Sequence, residues 1–284
     1  MATGVTLTIG GLTLTVSGGD SVAKALALPG MGAFRGETNG NDVHLQLDER
    51  VELPECRWLH RFDIVEETEE CRFGVDAGGV YYYTFGDNRL LRFDPRTPGT
   101  VSLNTIDDPN ILRFALWTAY AMAGLWHNAV PVHSSVVVCR GQAVMCLGES
   151  GTGKSTHTGL WMKYIDGCHL LNDDSPILRI EGDEVVVYGS PWSGKTPCYR
   201  QERMPVAALL RLEQRPENTI RRLGTIESFT ALHPSCPPAL AHDELCTDRM
   251  VDFIGGVIGR VPVYRLGCLP DEGAAKLAFN TLMA

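Results

Sequence analysis

The sequence predicts an α/β protein whose first part is rich in strands. Short apolar–polar alternations separated by glycine turns fill the chain before residue 105, and a strand, a glycine-rich loop and a helical run follow one another around residue 150. The character changes at Asp107-Asp108-Pro109, after which helical runs and strands alternate. These observations divide the chain into a β-rich N-terminal region, 1–105, and a phosphate-loop region, 106–284.

Within the first region, Val5-Thr6-Leu7-Thr8-Ile9, Gly10-Gly11 and Leu12-Thr13-Leu14-Thr15-Val16 read as a hairpin around a two-glycine turn. Further strands are expected at 43–47, 72–75, 80–85 and 90–93. The glycine-rich stretch 30–41 reads as a loop, and the acidic run Glu66-Glu67-Thr68-Glu69-Glu70 as a solvated turn. A helix is expected from Pro109 to about His127, capped by Asp107 or Asp108; it is apolar nearly all round and therefore buried. The second region then offers strands at 132–139, 142–147, 170–171, 177–179, 185–188, 206–213 and 261–266. Its helices are expected after Lys154 and at 225–231, 248–259 and 272–282.

Composition narrows the function classes. Apolar residues make up 44% of the 284 and charged residues 21%, enough for a real core. With 34 acidic against 25 basic side chains the net charge is −9, so no global basic field for nucleic acid exists. No run approaches the roughly 20 apolar residues of a membrane helix, and no basic-then-apolar leader is visible, so neither membrane nor secretion is expected. The nine cysteines are odd in number and form no CxxC pair. That pattern predicts neither a disulfide framework nor a zinc site. Cys139 and Cys146 read as buried core thiols, and the setting as a reducing cytoplasm.

The strongest motif is Gly148-Glu149-Ser150-Gly151-Thr152-Gly153-Lys154-Ser155-Thr156, which fits the Walker A pattern G-x-x-x-x-G-K-[ST] at every fixed position. Its glycines let backbone N–H groups close around phosphate oxygens, and the following helix N-terminus adds a favourable dipole. Lys154 is the cation for the β- and γ-phosphates of ATP, and the Ser155 hydroxyl a Mg²⁺ ligand. Next, Leu170-Leu171-Asn172-Asp173-Asp174 is an apolar strand that ends in two carboxylates. One suits the metal and the other suits accepting a proton from an attacking hydroxyl. His133 is expected near the emerging loop, because its strand should pair with 142–147 through the turn Arg140-Gly141. In the loop Ser190-Pro191-Trp192-Ser193-Gly194-Lys195, Lys195 is a candidate for the transferring phosphoryl group, with Arg200 and Arg203 as weaker candidates. His157 reads as structural.

The run Val132-His133-Ser134-Ser135, the phosphate loop and Asn172-Asp173-Asp174, in this order, resemble the kinase domain of HPr kinase/phosphorylase and, more distantly, phosphoenolpyruvate carboxykinase. The resemblance is carried mainly by residues 130–200. It implies a phosphoenolpyruvate carboxykinase-like P-loop fold with a mixed sheet, and a homo-oligomer. It further implies that Asp174 is the general base, Asp173 its acidic neighbour and His133 the active-site histidine. The family's metal-binding glutamate has no counterpart in Val185-Val186-Val187-Tyr188.

The expected function is an ATP-dependent, Mg²⁺-requiring kinase that phosphorylates a hydroxyl of a protein, peptide or small molecule. Two other readings compete: a non-catalytic nucleotide-binding regulatory protein, and a carboxykinase-type enzyme acting on a small phosphorylated acid. No base-reading motif chooses between ATP, GTP and pyrophosphate.

Overall fold

The computed structural model describes residues 3–37, 42–63, 70–86, 88–194 and 196–283. Most of the acidic run from Glu66, the end of the glycine-rich stretch 30–41, and Lys195 lie outside the described residues. The chain forms two compact units. One comprises 1–127 with 239–247, and the other 128–238 with 248–284.

The first unit is an eight-stranded sheet ordered β1-β2-β3-β8-β7-β6-β5-β4 among the described residues. Its strands are β1 (Thr3–Ile9), β2 (Leu12–Gly18), β3 (Val43–Gln46), β4 (Cys56–Asp63), β5 (Glu70–Asp76), β6 (Tyr81–Phe85), β7 (Leu90–Phe93) and β8 (Thr100–Leu103). The hairpin β1–β2 has the expected register, Ile9 opposite Leu12, and both turn glycines take positive φ (59° and 71°). That left-handed pair matches the twist of the flanking strands. Helix α1 (Ser21–Ala27) follows β2, and α2 (Pro109–Leu125) closes the unit's first segment. Asp108 caps α2, accepting from the Asn110 and Ile111 N–H groups, and the helix is buried on most of its circumference, as its composition required. Strands β4 and β8 and helix α1 are absent from the sequence expectations. β4 lies at the sheet edge and its alternation is broken by a register shift between Trp58 and His60, so it carries no clean period of two.

The second unit is a mixed sheet. Its elements are β9 (Ala129–Pro131), β10 (Ser134–Cys139), β11 (Gln142–Leu147), α3 (Lys154–Tyr164), β12 (His169–Asp174), β13 (Ile177–Glu181), β14 (Glu184–Tyr188) and β15 (Arg203–Gln214), then β16 (Thr219–Arg222), α4 (Thr225–Leu232), α5 (Glu244–Ile258, which spans the unit boundary), β17 (Val263–Cys268) and α6 (Glu272–Leu282). β11 pairs with β15 in parallel, and β15 with β17 in parallel. β10 pairs antiparallel with both β11 and β12. The β10–β11 turn is Arg140-Gly141 with positive φ at both residues (53° and 74°), the two-residue hairpin the sequence predicts. In the β10–β12 pairing, Val136 faces Asn172 and Val137 faces Leu170, so Leu171 is an extra residue in a bulge. Among the described residues, no helix is long and apolar enough to cross a membrane.

One cysteine expectation is corrected. Cys139 is buried as expected, yet it is not a free thiol: it forms a disulfide with Cys168. Val138 lies opposite His169 across the β10–β12 ladder, which brings the two cysteines side by side. Their 29-residue separation carries no sign of that register. Cys146 is a free, fully buried thiol whose pKa is pushed well up by burial.

Helices α3 and α6 cover one face of this sheet, with Trp161 fully buried among Val137, Val144, Leu210 and Ala278 and edge-on to Phe279 at 5.6 Å. His157, one turn before Trp161, is 3% exposed, and its Nε2 accepts from the Trp161 indole N–H at 3.1 Å. It is structural, as expected. Burial pushes its pKa from 6.5 down to about 4. The unfolded chain therefore binds more protons between those values. The associated penalty is absent above pH 6.5, grows as pH falls through the window and levels off below about 4. At pH 4.5 wild type should have lost about 2–3 kcal/mol through this group. The variant His157→Gln should show a correspondingly flatter decline in urea-unfolding free energy between pH 7 and 4.5. Identical slopes in both proteins would remove His157 from the acid response.

Candidate active site

The phosphate loop joins the end of β11 to the start of α3. Gly151 (φ 80°) and Gly153 (φ 103°, the N-cap of α3) sit in backbone conformations that other residues rarely adopt. A Cβ on either would meet nothing within 4 Å. The backbone twist, not lack of space, is what requires glycine there. Inside the loop, Thr152 donates from both its N–H and its hydroxyl to the Glu149 carbonyl, the hydroxyl at 2.7 Å.

Lys154 is buried at the first helical position. Its ammonium donates to the Gly148 carbonyl (2.8 Å), the Glu149 carbonyl (3.2 Å) and His133 Nε2 (2.8 Å). Burial lowers its pKa, while the Asp174, Asp173 and Glu149 carboxylates pull the other way. Because an ammonium has no acceptor, Nε2 of His133 must accept, and the ring proton is then on Nδ1. That nitrogen lies 3.2 Å from Asp174 Oδ1. The His133 backbone N–H is fixed on the Ser235 carbonyl at 2.7 Å. A continuous chain, Lys154–His133–Asp174, results.

The two carboxylates of β12 diverge, as adjacent strand residues must. Asp173 is buried, and its Oδ1 accepts from the Ser155 hydroxyl at 2.8 Å. Asp174 is half-exposed and turns to His133. Its φ of 141° is rare for a residue with a side chain, and strain of this kind gathers at functional positions. The Gly194 N–H donates to the Asp173 carbonyl at 2.6 Å. A Cβ on Gly194 would approach that carbonyl and the Asp174 Cβ to 3.2 Å, so a side chain here would push the loop and β12 apart by a few tenths of an ångström.

These groups surround one cavity of about 320 Å³, within the range of small-ligand sites. Ser150, Gly151, Gly153, Lys154, Ser155 and Thr156 form one wall, and His133, Asp173, Asp174 and Gly194 the other. Gly148 and Thr152 shape the loop: the Gly148 carbonyl holds Lys154 and Thr152 closes on Glu149. Lys195 follows Gly194 outside the described residues. Arg200 pairs with Glu202, and Arg203 with Glu181 and Glu184, so both weaker cation candidates are engaged with carboxylates. Among the described residues, no group of three or more His, Cys, Asp or Glu side chains is arranged to hold a metal ion. The Ser155 hydroxyl and the Asp173 carboxylate are adjacent hard oxygen donors of the type that could hold a cation.

Two contributors escaped the sequence reading. Asn172 is fully buried, and its amide N–H₂ reaches the Ser190 carbonyl and hydroxyl (3.3 Å each) and the Trp192 and Cys198 carbonyls (3.4 Å each). Its Oδ1 accepts from the Ser175 N–H at 3.1 Å. It ties the end of β12 to the 190–198 loop and so fixes the backbone that carries both aspartates. The other is Arg211, whose guanidinium meets Glu149 of the phosphate loop at 2.9 Å. A lone charge inside the apolar run Val206-Ala207-Ala208-Leu209-Leu210-Arg211-Leu212 was the visible signal.

No family model matches the chain, and no curated protein matches it. Among solved structures, the chain is similar to the Hpr(Ser) kinase/phosphatase from Coxiella burnetii. The identity is 14% and the TM-score 0.31, over 54% of this chain and 93% of that one.

Proposed function

We propose that this chain is a kinase that binds ATP with Mg²⁺ and transfers the γ-phosphoryl group to a hydroxyl of a protein, peptide or small molecule. We also read its second unit as a phosphoenolpyruvate carboxykinase-like P-loop fold. The observation that carries the proposal is the convergence of a loop-held ammonium, a Ser–Asp oxygen pair and a His–Asp pair on one cavity.

In the free protein the Lys154 ammonium is satisfied by the carbonyls of its own loop and by His133. An arriving triphosphate offers it stronger, charged acceptors. Loop N–H groups and the N-terminus of α3 add to the anion site. Ser155 and Asp173 would hold Mg²⁺, which would supply positive charge to offset the charge developing on the phosphate oxygens. Asp174 stands on the other side of His133, with one carboxylate edge held by Nδ1–H and the cavity in front of it. It accepts the proton of the acceptor hydroxyl as that oxygen bonds to the γ-phosphorus and ADP departs with the electrons of the broken P–O bond. Lys195, next to Gly194, is the candidate for charge on the transferred group.

The test is ADP formation with ATP and Mg²⁺, with and without hydroxyl-bearing acceptors, beside calorimetric titration of Mg-ATP. Binding in the micromolar range and Mg²⁺-dependent ADP release are expected. A folded protein that neither binds nor turns over ATP overturns the proposal.

A further inference from the structure

The phosphate loop is held from outside the cavity as well as from within. β15 runs parallel to β11, and Arg211 lies opposite Leu147, the last residue before the loop. From there its Nη2 reaches the Glu149 carboxylate at 2.9 Å. Three residues further along β15, the Gln214 side-chain N–H₂ donates to the Gly151 carbonyl at 3.2 Å. Neither Arg211 nor Gln214 lines the cavity.

Two details separate this contact from an ordinary surface ion pair. Arg211 is 17% exposed while Glu149 is 72% exposed, so a mostly buried guanidinium is spent on a solvent-side carboxylate. Its Nη1 is buried and has no hydrogen-bond partner among the described residues. The Glu149 carboxyl is in turn held below the usual carboxylate range, first by its hydrogen bond from Arg211 and then by that charge. Glu149 is also the residue whose carbonyl receives both Lys154 and Thr152. Fixing its side chain therefore fixes the peptide that seats the loop lysine. Gln214 similarly keeps the Gly151 carbonyl on β15, where it does not turn its negative end toward an incoming anion.

We infer that Arg211, through Glu149 and assisted by Gln214, is a positioning residue that sets the phosphate loop in its anion-ready shape before any ligand arrives. The inference rests on the nucleotide-binding reading for its purpose, but the brace is measurable in the ligand-free chain.

The experiment compares full-length wild type with Arg211→Gln, Glu149→Gln and the double variant. Glu149→Gln changes an exposed side chain, so it keeps the comparison sound if loss of Arg211 impairs folding. Amide hydrogen exchange over residues 148–153 is read without ligand, and Mg-ATP affinity by titration. Each single substitution should speed loop exchange and weaken Mg-ATP about three- to tenfold, with peptides from α2 unchanged. The double variant should be no worse than the more severe single, because both members act through one contact. Loop exchange equal to wild type in both single variants overturns the brace, as does multiplication of the two affinity losses. If wild type itself binds no Mg-ATP, the nucleotide reading falls, while the exchange comparison still decides the brace.

Discussion

Asp174→Asn should slow phosphoryl transfer about 10²- to 10⁴-fold while leaving Mg-ATP affinity within about twofold of wild type. The substitution keeps the side chain's shape, and its amide oxygen still accepts from His133 Nδ1–H, so the geometry of the His133 pair survives. What is lost is the capacity to take a proton. Asp173→Asn should behave differently, because that carboxylate faces Ser155 and not His133. It should raise the Mg²⁺ concentration needed for half-maximal rate. Basal ATP hydrolysis is the readout until an acceptor is identified, followed by single-turnover transfer. Wild-type rates in Asp174→Asn for both reactions would show that Asp174 is not the base.

Lys154→Ala should weaken Mg-ATP binding about ten- to a hundredfold, the equivalent of losing one charge-assisted contact worth about 1.5–3 kcal/mol. The structure explains why stability should suffer little. The ammonium is already penalised by burial, so its removal relieves a cost as well as deleting three hydrogen bonds. Of the two carbonyls it leaves, that of exposed Glu149 can turn to water, while that of Gly148 is buried. Melting temperature should move by only a few degrees, and isothermal titration reads the affinity. A folded Lys154→Ala protein with unchanged affinity would mean that the loop does not bind the triphosphate through this residue.

What was legible in the sequence was what local chemistry dictates. Gly10-Gly11 and Arg140-Gly141 announced their hairpins because a two-residue turn needs left-handed backbone. The strand, glycine-rich loop and helix around Gly148–Lys154 were legible because Gly151 and Gly153 supply left-handed backbone at fixed spacing. The opposite outlooks of Asp173 and Asp174 followed from strand geometry alone. Pairings between distant segments were not legible. Cys139 and Cys168 meet because of a ladder register, and the amide N–H₂ of Asn172 finds its acceptors 18 to 26 residues further on. β4 was hidden for a related reason: an edge strand with a register shift has no period to read. Arg211 sat in plain view as a charge in an apolar strand, but its partner was 62 residues away.

The bulge at Leu171 gives strand length a meaning of its own. Faces alternate along a strand, so one extra residue advances the phase of everything after it by one step. Yet a single-codon deletion at Leu171 would remove the bulge, leave the ladder at His169 and Leu170 in place, and keep Asp173 and Asp174 opposite Ser135 and Ser134, so the outlooks of the two acids would survive. Substitution at Leu171 tests packing, whereas deletion there tests the bulge itself with both carboxylates left in register.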